Sequence, residues 1–339
     1  MLGILFLSIT ILLWTTVGLH IAKRGLRVSN LSGLCTRCET SSEMRASWKP
    51  FARFDRKLSP VPSRMGAVVR AVIFGPIRLL TAFSLVIISA VAATVLPKAG
   101  VVAVARWVSR SILYAFGIRL RVEGIRANAH DAPLMVANHV SPTDILALLS
   151  LGGCFVAKEA VRDLPGIGKT ATAIGCIYVG RDSAESRSAA KEAITARLKE
   201  KMAAPRSQDC NQLVVFPEGT TTNGYGVIEF RRGAFEANVP FQPARIEYSN
   251  LQYSMAMVGV LDHACYMCCL PGCDLTVHYL PVIRPPAEMS PEDQANLSRD
   301  AILAGTALER YGMQSHREEK ELVKFLACMK SPIETKKST

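Results

Sequence analysis

His139 and Asp144 stand five positions apart in Asn138-His139-Val140-Ser141-Pro142-Thr143-Asp144, where a short apolar run gives way to a helix start. A carboxylate about one turn into a helix can reach back to one imidazole nitrogen. That contact fixes the tautomer and stabilises the imidazolium formed when the other nitrogen takes a proton. A second reading competes with it: Ser141-Pro142-Thr143-Asp144 has the form of a capping box, in which Asp144 accepts the N-cap amide. Some 75 residues on comes Phe216-Pro217-Glu218-Gly219-Thr220-Thr221-Thr222-Asn223-Gly224, a Gly- and Thr-rich loop with a single carboxylate, Glu218. Gly219 and Gly224 allow backbone conformations that other residues resist, and Thr220 and its neighbours supply hydroxyls. Such a loop can hold a polar headgroup or make an ordinary turn. Arg181, Arg231 and Arg232 follow apolar runs, and arginine suits phosphate because its planar fork donates two parallel hydrogen bonds.

The elements around these residues alternate between strand and helix patterns. Strands are expected over 119–123, 134–137, 154–157, 176–179, 213–216, 242–248 and 273–282. Helices are expected over 142–151 and 184–202 and from the Ser290-Pro291 cap. This texture predicts an α/β domain with a mixed, largely parallel sheet flanked by helices, its catalytic loops at the carboxyl ends of the strands.

Ahead of that domain the chain is apolar, then basic. Residues 1–19 carry no charge and are long enough to cross a bilayer core. A signal peptide would carry its positive charge first, whereas Lys23, Arg24 and Arg27 follow the apolar run, so an uncleaved anchor is expected. Between His20 and Arg78, twelve Lys or Arg face three acids, a net of +9 within a chain of net +12. This suits anionic lipid headgroups. A nucleic-acid partner is not expected, because few aromatics are interleaved and no binding motif is present. A second apolar stretch, 79–96, ends at Pro97. Residues 101–116 are amphipathic, with Arg106 and Arg110 on one face. The first helix either spans the bilayer or forms a hairpin with the second lying in the interface. The terminal Lys336-Lys337-Ser338-Thr339 has the dilysine form of an endoplasmic-reticulum retrieval signal. A cytosolic linker and a cytosolic tail together favour the hairpin. The expected organisation is an anchor at 1–19, a basic and poorly ordered linker at 20–65, a membrane hairpin at 66–117, the α/β domain at 118–289 and a helical, basic tail at 290–339.

Other chemistries lack their signatures. Gly166-Ile167-Gly168-Lys169-Thr170 ends like a P-loop, but Asp163 stands where the first glycine must be. No G-x-S-x-G elbow occurs. The pairs Cys35/Cys38 and Cys265/Cys268 lie about 230 residues apart, which favours reduced thiols over a zinc site.

Taken in order, these segments resemble the glycerolipid and lysophospholipid acyltransferase family. The blocks are Asn138-His139 through Asp144; Gly175-Cys176-Ile177-Tyr178-Val179-Gly180-Arg181; Phe216-Pro217-Glu218-Gly219-Thr220 with Phe230-Arg231-Arg232-Gly233; and Val239-Pro240-Phe241-Gln242-Pro243. The resemblance covers roughly residues 70–315. It implies that His139, oriented by Asp144, removes the proton from an acceptor hydroxyl that attacks the thioester of acyl-CoA. It also implies that Arg181 binds the acceptor phosphate and that Glu218 and Gly219 position its glycerol. The family has a two-helix membrane motif and uses no catalytic metal or other cofactor beyond the co-substrate acyl-CoA. The Thr-Thr-Thr-Asn-Gly extension is similar to that of enzymes acting on lysophosphatidylcholine or lysophosphatidylethanolamine; a lysophosphatidic acid acceptor and a non-catalytic scaffold are the alternatives. No calcium-binding loop of the D-x-D-x-D-G type follows Pro285.

Overall fold

The computed structural model describes residues 2–35, 42–51, 63–164, 167–180, 184–203, 211–256, 258–312 and 316–330. Seven strands form the main sheet: β1 (Ile118–Glu123), β2 (Leu134–Ala137), β3 (Gly153–Lys158), β4 (Ile177–Val179), β5 (Gln212–Val215), β7 (Phe241–Tyr248) and β8 (Cys273–Tyr279). Their spatial order is β1-β8-β7-β2-β5-β3-β4, and every neighbouring pair is parallel except β7 and β8. Two short strands, β6 (Gly226–Val227) and β9 (Glu309–Arg310), pair separately. The largely parallel α/β architecture is therefore observed. Strand β8 stops three residues short of expectation, at the approach to Pro281, where the ladder loses a donor.

β2 lies at the centre and is buried along its whole length. Side chains of a strand alternate between faces. Met135 and Ala137 accordingly join one apolar cluster, and Leu134 and Val136 the other. The helices are α1 (Leu2–Cys35), α2 (Ser42–Trp48), α3 (Arg64–Val95), α4 (Lys98–Ala115), α5 (Pro142–Ser150), α6 (Ile167–Ile174), α7 (Ala184–Ala203), α8 (Val260–Cys269), α9 (Pro291–Leu303) and α10 (His316–Lys330). The sequence reading had no counterpart for α2, α6 or α8.

The N-terminal elements differ from expectation in extent. α1 does not end at residue 19 but continues through Lys23, Arg24 and Arg27 to Cys35, so the segment read as a loose linker begins as helix. The reason is a stripe of small and apolar residues. Gly18, Ile21, Ala22, Gly25 and Val28 share one buried face. A Cβ at Gly18 would come within 2.6 Å of Val72 Cα, and one at Gly25 within 2.7 Å of Cys269 Sγ. Glycine thus permits close approach to α3 and α8. Arg24 then pairs with Asp262 on α8.

α3 begins at Arg64, well before the expected stretch, and runs straight through Pro76. Among the described residues it is the helix long and apolar enough to cross a membrane by length and composition. Yet Arg70 Nε donates to Cys269 O at 2.8 Å, and Ser89 Oγ lies 3.1 Å from Thr170 Oγ1 on α6. These two contacts are about 28 Å apart along the helix, and both are made to the α/β unit, so α3 lies along that unit. α4 buries Val101, Ala105, Val108, Ile112 and Leu113 and leaves Trp107, Arg110 and Tyr114 outside. Arg106, expected beside Arg110, instead donates to Asn211 Oδ1 at 2.6 Å. The outward side of α3 carries Ile73, Ile77, Leu80, Phe83, Ile87 and Val91.

The α1 stripe gives a direct test. In detergent-solubilised protein, Gly25→Leu is expected to lift α1 from α8 and speed trypsin cleavage after Arg24 and Arg27. Digestion at the wild-type rate would reject this packing.

Candidate active site

β2 and β5 are parallel neighbours, so their carboxyl ends open on the same edge of the sheet. The segments after them carry His139 and Glu218. The backbone entering the site is fixed first. Asn138 Nδ2 donates to Ile246 O at 3.0 Å and Asn138 Oδ1 accepts from Ile246 N at 2.8 Å, so a side chain extends the β2–β7 pairing by one step.

Helix α5 starts at Ser141, whose hydroxyl accepts from Thr143 N, with Pro142 in the first turn and a complete capping box. The two readings of Asp144 are both realised. Its Oδ2 accepts from Ser141 N at 2.9 Å, Val140 N at 2.7 Å and His139 Nδ1 at 2.9 Å. The cap geometry is what brings the carboxylate to the imidazole. The bond assigns the proton to Nδ1 and leaves the lone pair on Nε2. Among the described residues no group bonds Nε2. The His139 side chain is 14% exposed and that of Asp144 is 0%. The imidazole stacks on Phe216, with centroids 4.1 Å apart and planes 14° apart, and Phe155 lies beyond Phe216. Rotation of the ring is therefore opposed by a face contact as well as by Asp144.

Tyr248, at the end of β7, completes the carboxylate. Its hydroxyl donates to Asp144 Oδ1, and Thr143 Oγ1 lies 2.6 Å from Tyr248 OH. Behind these, Ser141 Oγ is 3.2 Å from His263 Nε2 on α8. Nothing local in the sequence marks Tyr248 for this role. It follows from β7 lying beside β2, a pairing that links residues a hundred positions apart.

Glu218 bonds main-chain amides. The residue is 0% exposed. Oε1 accepts from His139 N at 2.7 Å and Oε2 from Ile228 N at 3.1 Å. It holds the backbone of His139. Burial pushes its carboxyl up to about 8, against the opposing pull of the two amide donors and the Arg299 charge.

Gly219 takes φ +73°, and a Cβ there would meet Arg231 Nε at 2.9 Å. The arginine side chain therefore lies across the glycine. Arg231 and Arg232 are exposed, and neither has an ion-pair partner among the described residues. Thr220 Oγ1 is turned toward Glu319 of α10, at 3.4 Å. Arg181 lies outside the described residues, directly beyond the carboxyl end of β4. The structure thus gathers His139, Asp144, Glu218, Gly219, Thr220 and Arg231 at one edge, with Arg232 adjoining. Among the described residues no group of three or more His, Cys, Asp or Glu is placed to hold a metal ion.

Two outcomes follow from the buried carboxyl groups. Tyr248→Phe keeps the ring and removes the hydroxyl's bonds to Asp144 and Thr143, and should cost about 1.5–3 kcal/mol of stability, read as a lower thermal midpoint. Glu218 has a folded-state pKa above its unfolded value of 4.5. Its contribution is therefore fully present below the unfolded value and lost as pH rises through about 8. The stability margin of wild type over Glu218→Gln should shrink between pH 5 and 8. A margin that stays constant or widens would contradict this ionisation.

The acyltransferase family model matches residues 119–247. A lysophospholipid acyltransferase of Arabidopsis thaliana is 34% identical over 58% of this chain and 36% of its own length. A lysophosphatidylcholine acyltransferase of Drosophila melanogaster is 36% identical over 41% of this chain and 26% of its own. The human glycerol-3-phosphate acyltransferase 3 is 28% identical over 62% of this chain and 50% of its own. The chain thus spans between about a quarter and a half of the length of these curated relatives. With the His139–Asp144 pair and the Glu218 loop inside the matched region, residues 119–247 are a domain of the acyltransferase family.

Proposed function

We propose that the protein transfers a fatty acyl group from acyl-CoA to the free hydroxyl of a lysophospholipid. The observation that carries this reading is the 2.9 Å contact between His139 Nδ1 and Asp144 Oδ2, with no described residue bonded to Nε2. In the proposed reaction Nε2 takes the proton from the acceptor hydroxyl as its oxygen attacks the thioester carbonyl. Asp144 stabilises the imidazolium. When the tetrahedral intermediate collapses, the C–S bond breaks, and the imidazolium proton passes to the departing CoA thiolate. General-base help of this kind contributes on the order of 10² to 10⁴ in rate.

The proposed sources of positive charge for the acceptor phosphate are Arg231, which lies over Gly219, and Arg181, which follows β4 in the sequence. Lysophosphatidylcholine or lysophosphatidylethanolamine is the favoured acceptor, from the Thr-Thr-Thr-Asn-Gly loop, with lysophosphatidic acid second. The names of the relatives support acyl transfer to glycerolipids and differ in the acceptor they give.

The substrates reside in a membrane, and the apolar outer side of α3 beside the Trp107, Arg110 and Tyr114 side of α4 suits an interface. With α3 held along the α/β unit, the hairpin enters one leaflet and does not cross it. The proposed location is the endoplasmic-reticulum membrane with the domain in the cytosol. Asn296, in the Asn-Leu-Ser sequon on α9, is exposed. It should remain unglycosylated in cells; a glycan there would place the domain in the lumen.

The reading is tested with membranes, labelled acyl-CoA and a panel of lysolipids. His139→Ala should lower transfer by about 10² or more. Undiminished transfer by that variant would reject the mechanism, and no transfer by wild type to any lysolipid would favour a scaffold. A dominant preference for lysophosphatidic acid would move the assignment to the second acceptor.

A further inference from the structure

The N-terminal part of the chain returns to the loop beside His139. α2 ends at Trp48, and Phe51 N donates to Trp48 O at 3.0 Å, forming a tight turn. Phe51 is fully buried and Trp48 nearly so. The Trp48 ring lies 5.1 Å from that of Phe325 on α10. Lys49 pairs with Glu309 on β9, and its ammonium sits 5.9 Å from the Tyr311 ring centroid. The turn is thus anchored by side chains on both flanks.

What it offers to the loop is backbone. Pro50 O accepts from Asn223 N at 2.7 Å, and Lys49 O accepts from Asn223 Nδ2 at 2.7 Å. A residue preceding proline is biased toward extended backbone, which suits presenting two successive carbonyls. Asn223 Oδ1 accepts from Tyr225 N at 3.1 Å, closing the loop's own turn. One position earlier, Thr222 N donates to His139 O at 2.9 Å. On the far side Gly224 has φ +81°, and a Cβ there would come within 2.7 Å of Leu251 Cδ2. The loop after Glu218 is therefore held by His139, by the Leu251 segment and by a turn 174 positions away in sequence.

We propose that Asn223 is a positioning residue for acceptor binding, and that the turn Trp48–Phe51 is the strap it fastens. The inference rests on the acyl-transfer reading, because its kinetic consequence is read in the acceptor. Asn223 touches no reacting atom. It acts by setting where Gly219 through Thr222 lie relative to His139. The anchoring aromatics fix the strap, and the strap fixes the loop.

Asn223→Asp breaks the side-chain link. The aspartate keeps an oxygen for Tyr225 N and the backbone bond to Pro50 O, while the donor to Lys49 O is replaced by an oxygen that repels that carbonyl. Two measurements are made on the full chain in detergent micelles. The first is hydrogen exchange at the amides of Trp48, Lys49 and Phe51. The second is acyl-transfer kinetics with lysophosphatidylcholine varied at saturating acyl-CoA. Asn223→Asp is expected to speed exchange in the strap and raise the acceptor KM about fivefold, the size of one lost hydrogen bond, with a smaller change in kcat. Phe51→Ala should give the same pattern. The double variant should fall short of the product of the two, since residues in one network are not additive.

Unchanged exchange, an unchanged acceptor KM, or multiplicative effects in the double variant would each overturn the proposal. If wild type transfers no acyl group, the functional reading fails, while the exchange measurement still reports whether Asn223 fastens the strap.

Discussion

A carboxylate with no exposure must be answered by donors, because an unpaired buried charge costs several kcal/mol. Asp144 is answered by four: the amides of Val140 and Ser141, the ring nitrogen of His139 and the hydroxyl of Tyr248. Two belong to the start of α5, one to the segment after β2 and one to the end of β7. Satisfying that one group therefore fixes three elements against each other. The imidazole is the member of the set with a second nitrogen left over, and this is what makes a structural cap into a chemical device.

Glu218 does the complementary work on the main chain. Its two oxygens tie the amides of His139 and Ile228. His139 is thereby held at its ring by Asp144, at its amide by Glu218 and at its carbonyl by Thr222. The two carboxyl groups differ in environment. Asp144 is compensated by a full set of short-range donors. Glu218 has two amides, and desolvation prevails over them. With both oxygens of Glu218 engaged, the charged group beside Gly219 that faces solvent is the guanidinium of Arg231.

Much of this was legible in the sequence, and the reason is locality. His139 and Asp144 are five residues apart, and a helix cap sets their geometry without help from the rest of the fold. The central strand 134–137 was read with its observed limits, because a short apolar run between loop residues has few other uses. The parallel sheet followed from the alternation of strands and helices. What remained hidden depends on long-range pairing. Tyr248 reads as one more strand aromatic until β7 is set beside β2. The buried contact of Glu218 with Ile228 N depends on the segment that follows the loop folding back. The length of α1 was misjudged because charge was taken to end an apolar helix. Yet Lys23 and Arg27 point outward while Gly18, Ala22 and Gly25 continue the buried stripe past them.

That stripe bears on how the membrane and the chemistry are connected. α1 and α3 both pack on α8, through Gly25, Arg24, Arg70 and Arg78. α8 also carries His263, whose ring meets the hydroxyl of Ser141, the cap of the helix that presents Asp144. The apolar helices are thus two contacts from the helix that carries Asp144, with no loop between them to absorb movement. Interiors packed at this density transmit displacement in preference to absorbing it. A rigid path from α3 through α8 to the start of α5 therefore fixes the His139 imidazole relative to the apolar outer side of α3 in a way a flexible tether could not.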